Sequence, residues 1–159
     1  MGPLSLLPAS VLGLAREVGR HLLRRPVVGV AIAARVEDGR WLLIRRGDTG
    51  TWALPGGTLE WGETLRASAL RELQEEAGVF DAELGPVVGV FSRPDRDIRF
   101  HAVTVVITAK VGLPRQAPMN PLEIREVKLF QEDELPRPLA LGMDDMLDAA
   151  RRGTEVVFE

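Results

Sequence analysis

Apolar residues along this chain fall into two patterns, dense runs rich in valine and a stripe repeating every three to four positions. Val27-Val-Gly-Val-Ala-Ile-Ala-Ala-Arg-Val36 is nearly unbroken and predicts a buried strand. Asp38-Gly39 is a strong hairpin-turn signal, and Arg40-Trp-Leu-Leu-Ile-Arg45 returns as the partner strand. Leu84–Ser92 and His101–Val111 predict two further strands, each dense in valine. The segment Gly112–Leu122 carries three prolines and reads as a loop. Glu123-Ile-Arg-Glu-Val-Lys-Leu-Phe130 gives a final strand, and a last helix follows Pro136 and Pro138, from about Leu139 to Arg152.

The helical stripe occurs near the start and in the middle. Ser10 is placed to cap a helix running to Arg25, with Val11, Leu14, Ala15, Val18 and Leu22 on one side, and Pro26 stops it. The expectation is that residues 1–25 pack on the domain of residues 26–159 or on a second subunit. Glu17 and the helix glycines Gly13 and Gly19 weaken the rival reading, a helix lying on a membrane surface.

The central helix holds the candidate chemistry. At about 100° per residue, Glu72, Glu75 and Glu76 share roughly a 100° arc, while Leu70, Leu73 and Ala77 project to another side and can face a core. Carboxylates this close repel one another and oppose the helix. A hard cation removes that cost, since Mg2+ takes oxygen ligands and bridges carboxylates to phosphates. A solvated acidic face is the plain alternative for three glutamates alone.

The surrounding residues decide between these readings. Gly57, Glu63, Arg71, Glu72, Leu73, Glu75, Glu76, Gly78 and Val79 fit the pattern G-x5-E-x7-R-E-U-x-E-E-x-G-U, with U aliphatic, at every position. This resembles the signature box of the Nudix hydrolases, and Leu54-Pro-Gly-Gly57 before it is also what that family shows. The resemblance implies an α/β/α sandwich with a central mixed sheet, covering about Pro26 to Arg152. It also implies Mg2+, with Mn2+ able to substitute, held by Glu72, Glu75, Glu76 and the carbonyl of Gly56 or Gly57. A further carboxylate is expected from Glu123, with Glu126 as second choice. Glu72, Glu76 or Glu123 would be the general base, and Arg71 would orient the glutamates by ion pairing, with Glu63 among its partners. The phrase Pro94-Asp-Arg96-Asp-Ile-Arg99-Phe-His101, with Pro94 fifteen residues after Val79, resembles ADP-ribose pyrophosphatase-like members. Arg96 and Arg99 of this charged loop, with Arg45 and Arg46, are the expected contacts to an anionic substrate. Trp52 and Trp61 are candidates for stacking on a base or for burial.

Composition narrows the rest. A chain of 159 residues with 45% apolar and 27% charged residues is one domain with room for a core. Its net charge of −3 gives non-specific nucleic-acid binding no electrostatic basis. The chain has no cysteine, which excludes disulfides, thiolate metal sites and the cysteine used by the related isopentenyl diphosphate isomerases. No apolar run is long enough to span a bilayer, and positive charge arrives late in the first 25 residues, the reverse of a secretory signal; a cytoplasmic protein is expected.

The resulting expectation is a hydrolase that cleaves the pyrophosphate of a nucleoside diphosphate linked to another group, with ADP-ribose or a nucleotide sugar leading. A nucleoside triphosphate pyrophosphohydrolase shares the whole box, and a nucleotide-sensing module without catalysis is a third reading. The subgroup also implies a homodimer with the apolar stretch before Pro26 as its candidate interface. Light scattering of a chain beginning near Pro26 checks this: a monomer is expected, and an unchanged dimer removes the stretch from the account.

Overall fold

The computed structural model describes residues 13, 16–19, 25–153 and 155–159. Residues 13 and 16–19 are helical, and Val18 is about half exposed. The rest of the apolar stripe expected there (Val11, Leu14, Ala15 and Leu22) lies outside the described residues.

The elements in chain order are β1 (Val27–Arg35), β2 (Trp41–Arg46), β3 (Trp52–Ala53), β4 (Gly56–Thr58), α1 (Leu65–Ala77), β5 (Ala82–Phe91), β6 (Ala102–Val111), β7 (Ile124–Phe130), α2 (Asp144–Arg152) and β8 (Val157–Phe158). They form one mixed sheet in the order β3-β2-β1-β6-β5-β8, with β4 added to β1 and β7 to β2. β1 and β6 run parallel in register from Val27↔Ala102 to Arg35↔Lys110, and β5 and β8 are also parallel. Because β1 is buried continuously from Gly29 to Ala34, both of its faces are covered. The cover comes from α1 and α2, which both pack on β1, and the layers are α/β/α as expected.

The Asp38-Gly39 turn forms, with Gly39 at φ 89°, but the hairpin behind it is short. β1 and β2 pair only at Arg35↔Trp41. They then part, β1 toward β4 and β2 toward β7. That parting opens the sheet beside Gly29–Ala31, where the glycine strand β4 inserts.

α1 begins where the Thr64 hydroxyl accepts from the Ala67 N–H and ends at Gly78, whose φ of 64° suits a residue without a Cβ. Its buried face is Ser68, Ala69, Glu72, Leu73, Glu76 and Ala77. The sequence expectation needs correction here. Leu70 is 38% exposed, and Glu72 and Glu76 go inward with Leu73 and Ala77. The spacing separated acidic from apolar positions, whereas the helix docks along the line between them.

Three further differences have local causes. The last helix starts at Asp144, because Leu141 and Gly142 both have positive φ and form a tight turn that α-helix cannot pass through. Strand β8 was too short to read from sequence. Trp61 is fully exposed, while Trp52 packs edge-on against Phe130 with ring centroids 4.8 Å apart.

Candidate active site

The glycine strand and the acidic helix meet at two contacts. The Gly56 N–H donates to Glu76 Oε2 at 2.8 Å. Gly57 lies so close to Glu72 that a Cβ on it would overlap the Glu72 carboxylate and push that side chain from its place. Glu72 and Glu76 are each 7% exposed, although Glu is rarely buried without a paired charge.

Burial leaves its mark on their acidity. Glu76 is pushed up to about 8, chiefly by desolvation, then by the nearby charges of Glu72 and Glu123, with the Gly56 N–H and Arg46 pulling the other way. Glu72 is also raised, again first by desolvation, with Arg71 opposing. Glu123 acts on both, so the loop before β7 brings it toward the helix. The Asn120 side chain donates to its carboxylate, and its carbonyl accepts from the Gly47 N–H. Glu126 is placed differently: it lies opposite Arg45 in the β2–β7 ladder and pairs with it at 3.5 Å.

Arg71 ties the box together. It donates to both Glu63 oxygens (3.0 and 3.1 Å), to Glu72 at 2.9 Å, to Glu75 at 3.2 Å and to the Thr58 carbonyl at 3.3 Å. The hydrogen bond from Arg71 in turn holds the Glu63 carboxyl below its ordinary pKa. Thr58 belongs to β4 and Glu63 to the loop ahead of α1, so one guanidinium fastens strand, loop and helix.

Whether this donor set suits a divalent cation is a matter of its chemistry. It is made only of hard oxygens, and its two buried carboxylates carry a repulsion that a cation relieves. Arg71 supplies part of that compensation, drawing Glu72 and Glu75 toward itself. Among the described residues, no three His, Asp or Glu side chains converge on one point. The set fits a hard divalent cation by ligand type.

Gly56 and Gly57 also line a cleft of about 100 Å3, together with Val27, Gly29, Arg46, Arg99, Phe100 and Met143 among others. A larger depression, about 720 Å3 around Arg35, Glu37, Asp81 and Lys110, opens at the far end of β1. None of the glycine strand or the buried glutamates lines it, whereas Gly56 and Gly57 line the smaller cleft.

The four arginines singled out in the sequence fare differently. Arg46 lines the cleft and is bidentate to Asp48 (3.0 and 2.7 Å). That pairing holds Asp48 down to about 2. Arg99 also lines the cleft, bidentate to the buried Asp97 at 2.9 and 2.7 Å. Arg45 is not part of the cleft wall; it donates to the Gly50 carbonyl and faces Glu126. Arg96 reaches the cleft but is engaged by Glu159, Asp145 and the Gly142 carbonyl. Asp48 and Asp97 were missed by sequence reasoning, although each stands two residues from its arginine. The apolar lining at Leu141, Met143 and Met146 had no sequence signal, since it depends on the turn before α2 folding back over β3 and on α2 packing on β1.

Comparisons with known proteins agree with this geometry. The chain is 45% identical to a MutT-like protein of Streptomyces ambofaciens over 75 residues, 46% of this chain and 48% of that one. It is 40% identical to an ADP-ribose pyrophosphatase of Methanocaldococcus jannaschii over 113 residues, 68% of this chain and 64% of that one. The chain thus spans less than two thirds of the length of these curated relatives. Its fold superposes on the crystal structure of an ADP-ribose pyrophosphatase from Streptococcus suis with a TM-score of 0.69 and 26% identity, covering 85% of this chain and all of that one. The NUDIX domain matches residues 24–150. Four-fifths of the sequence, the mixed sheet and the glycine strand against the acidic helix all agree: the chain belongs to the NUDIX domain family.

Proposed function

We propose that the protein is a Mg2+-dependent hydrolase of a nucleoside diphosphate linked to a second group, with ADP-ribose or a nucleotide sugar as substrate, giving a nucleoside monophosphate and a sugar phosphate. The observation that carries this reading is Glu76, a carboxylate buried against the Gly56 N–H and raised to about 8 beside a cleft walled by cationic side chains. A group so placed is poorly explained by folding alone, because burying it costs stability.

Glu72, Glu75, Glu76 and the Gly56-Gly57 backbone would hold the metal. Bound there, Mg2+ would neutralise the pyrophosphate and lower the pKa of a water. The protein's own part is to place that charge and to move a proton. Glu123 stands on a loop rather than on the helix, and it is our choice of general base; Glu72 and Glu76 are more deeply buried and suit ligation. Arg46 and Arg99 face the cleft with one side of each guanidinium held by an aspartate. They are fixed in position to bind phosphate oxygens or stabilise charge on the leaving group. Phe100 and the methionines give the attached group an apolar surface.

The name of the archaeal relative and that of the superposed crystal structure both support a diphosphate-linked substrate. The resemblance to a MutT-like protein favours a second reading, cleavage of nucleoside triphosphates to monophosphates and pyrophosphate. A panel of ADP-ribose, nucleotide sugars and nucleoside triphosphates, run with Mg2+ in oxygen-18 water, separates the two. AMP with sugar phosphate as fastest products is expected. Faster release of pyrophosphate from triphosphates selects the second reading, and no turnover of any member refutes both.

A further inference from the structure

The Arg96 side chain is only 5% exposed, yet it sits in a loop of alternating charges where solvation would be expected. Its donors go to three separate parts of the chain. Nη1 donates to the Gly142 carbonyl at 2.7 Å, in the turn before α2. Nη2 donates to Asp145 at 2.8 Å, in the first turn of α2. Nε and Nη2 reach the two carboxylate oxygens of Glu159, just past β8, at 3.0 and 2.6 Å. Glu159 also accepts from the backbone N–H groups of Ser92 and Arg93, at 2.9 Å each, at the start of the same loop. Arg93 adds a weaker pairing to both acids, 3.5 Å to Asp145 and 3.3 Å to Glu159. Below, the guanidinium lies over the Phe91 ring at 5.1 Å.

Two arginines thus meet two carboxylates, and Arg96 has little charge left for a phosphate. What it does have is position. The loop it belongs to carries Asp97, Arg99 and Phe100 into the lining of the cleft, and the turn it grips carries Leu141 and Met143 into the same lining. That turn is strained, with Leu141 at φ 56° followed by Gly142 at φ 64°. Such a backbone persists only where neighbours over-determine it. The bond from Arg96 to the Gly142 carbonyl is one of those constraints.

We propose that Arg96 is a positioning residue that fixes the 97–100 loop against the 141–143 turn, two segments lining the cleft, with Glu159 and Asp145 as its anchors, and so governs binding of the group attached to the diphosphate. In its use of a substrate this rests on the functional reading above. Lysine cannot make the three-way fork, because a single ammonium on a flexible stem lacks the planar array of donors.

The test uses the whole chain with Arg96→Lys and, independently, Glu159→Gln. Steady-state kinetics with ADP-ribose are expected to show KM raised tenfold or more while kcat falls less than threefold, with Mn2+ uptake by calorimetry unchanged. Equal losses in kcat and in Mn2+ uptake would mean a general structural role and overturn the proposal, as would an unaltered KM. Hydrogen exchange needs no substrate and separates failure of this proposal from failure of the functional reading. Faster exchange confined to residues 97–102 and 139–145, with β1 and α1 as protected as before, supports the clamp even if no diphosphate is turned over. Unchanged exchange in both segments overturns it.

Discussion

Glu76→Gln is expected to slow turnover by roughly a thousandfold while making the metal-free protein more stable at pH 8. On the proposed function the loss follows from removing a charged ligand, and a thousandfold is about 4 kcal/mol of transition-state stabilisation. The gain follows from burial. In the folded chain Glu76 titrates at about 8 against an ordinary value of 4.5. Between those two pH values the folded state keeps a proton that the unfolded state has released. Stability of the metal-free protein therefore falls as pH rises through that window, by about 4 kcal/mol, and the gain in Glu76→Gln at pH 8 is smaller, because the buried amide has a desolvation cost of its own. The glutamine amide oxygen still accepts from the Gly56 N–H, and the cavity is unchanged in size. Thermal unfolding from pH 5 to 8, with chelator and then with Mg2+, checks both halves. The wild type should lose melting temperature with rising pH only when metal is absent, because the cation takes the place of the proton. A destabilised Glu76→Gln variant with near-normal turnover would make Glu76 an ordinary structural residue.

Arg71→Lys is expected to cost both activity and stability, although it keeps the charge. Arg71 reaches Glu63, Glu72, Glu75 and the Thr58 carbonyl simultaneously. An ammonium can satisfy two or three of these but not in the planar fork. Because the Arg71 side chain is 23% exposed, the stability loss is put at about 1–3 kcal/mol, below that for a fully buried pair. Turnover should fall roughly 10–100-fold, about 1.4–2.7 kcal/mol, as Glu72 and Glu75 lose their common anchor. Saturating Mg2+ should return part of the stability, since a ligand that binds only the folded state stabilises it. Melting temperature and kcat with and without Mg2+ measure these effects, and full turnover in Arg71→Lys would mean that the ion pairs do not orient the glutamates.

These two predictions draw on unequal amounts of sequence information. The box named Arg71, Glu72 and Glu76, and helical spacing set the three glutamates on one arc. That Glu72 and Glu76 are buried was not legible. Periodicity compares residue types, and it assigned the inward face to Leu70 because leucine is apolar. In the fold, β4 lies against Glu72 and Glu76, and Leu70 turns to solvent. The arginines divide similarly. Arg45 and Arg46 are adjacent in sequence, but only Arg46 reaches the cleft, while Arg45 faces Glu126.

Local chemistry alone determined the valine-rich strands, the Asp38-Gly39 turn, the acidic helix and the family resemblance, because each depends on residues within about twenty positions of one another. Tertiary structure decided which carboxylates lose their water, which arginines line the cleft, and that Arg96 is held by residues 46 to 63 positions away. Those outcomes depend on desolvation and on contacts between distant segments, and neither is set until the sheet has closed around the glycine strand.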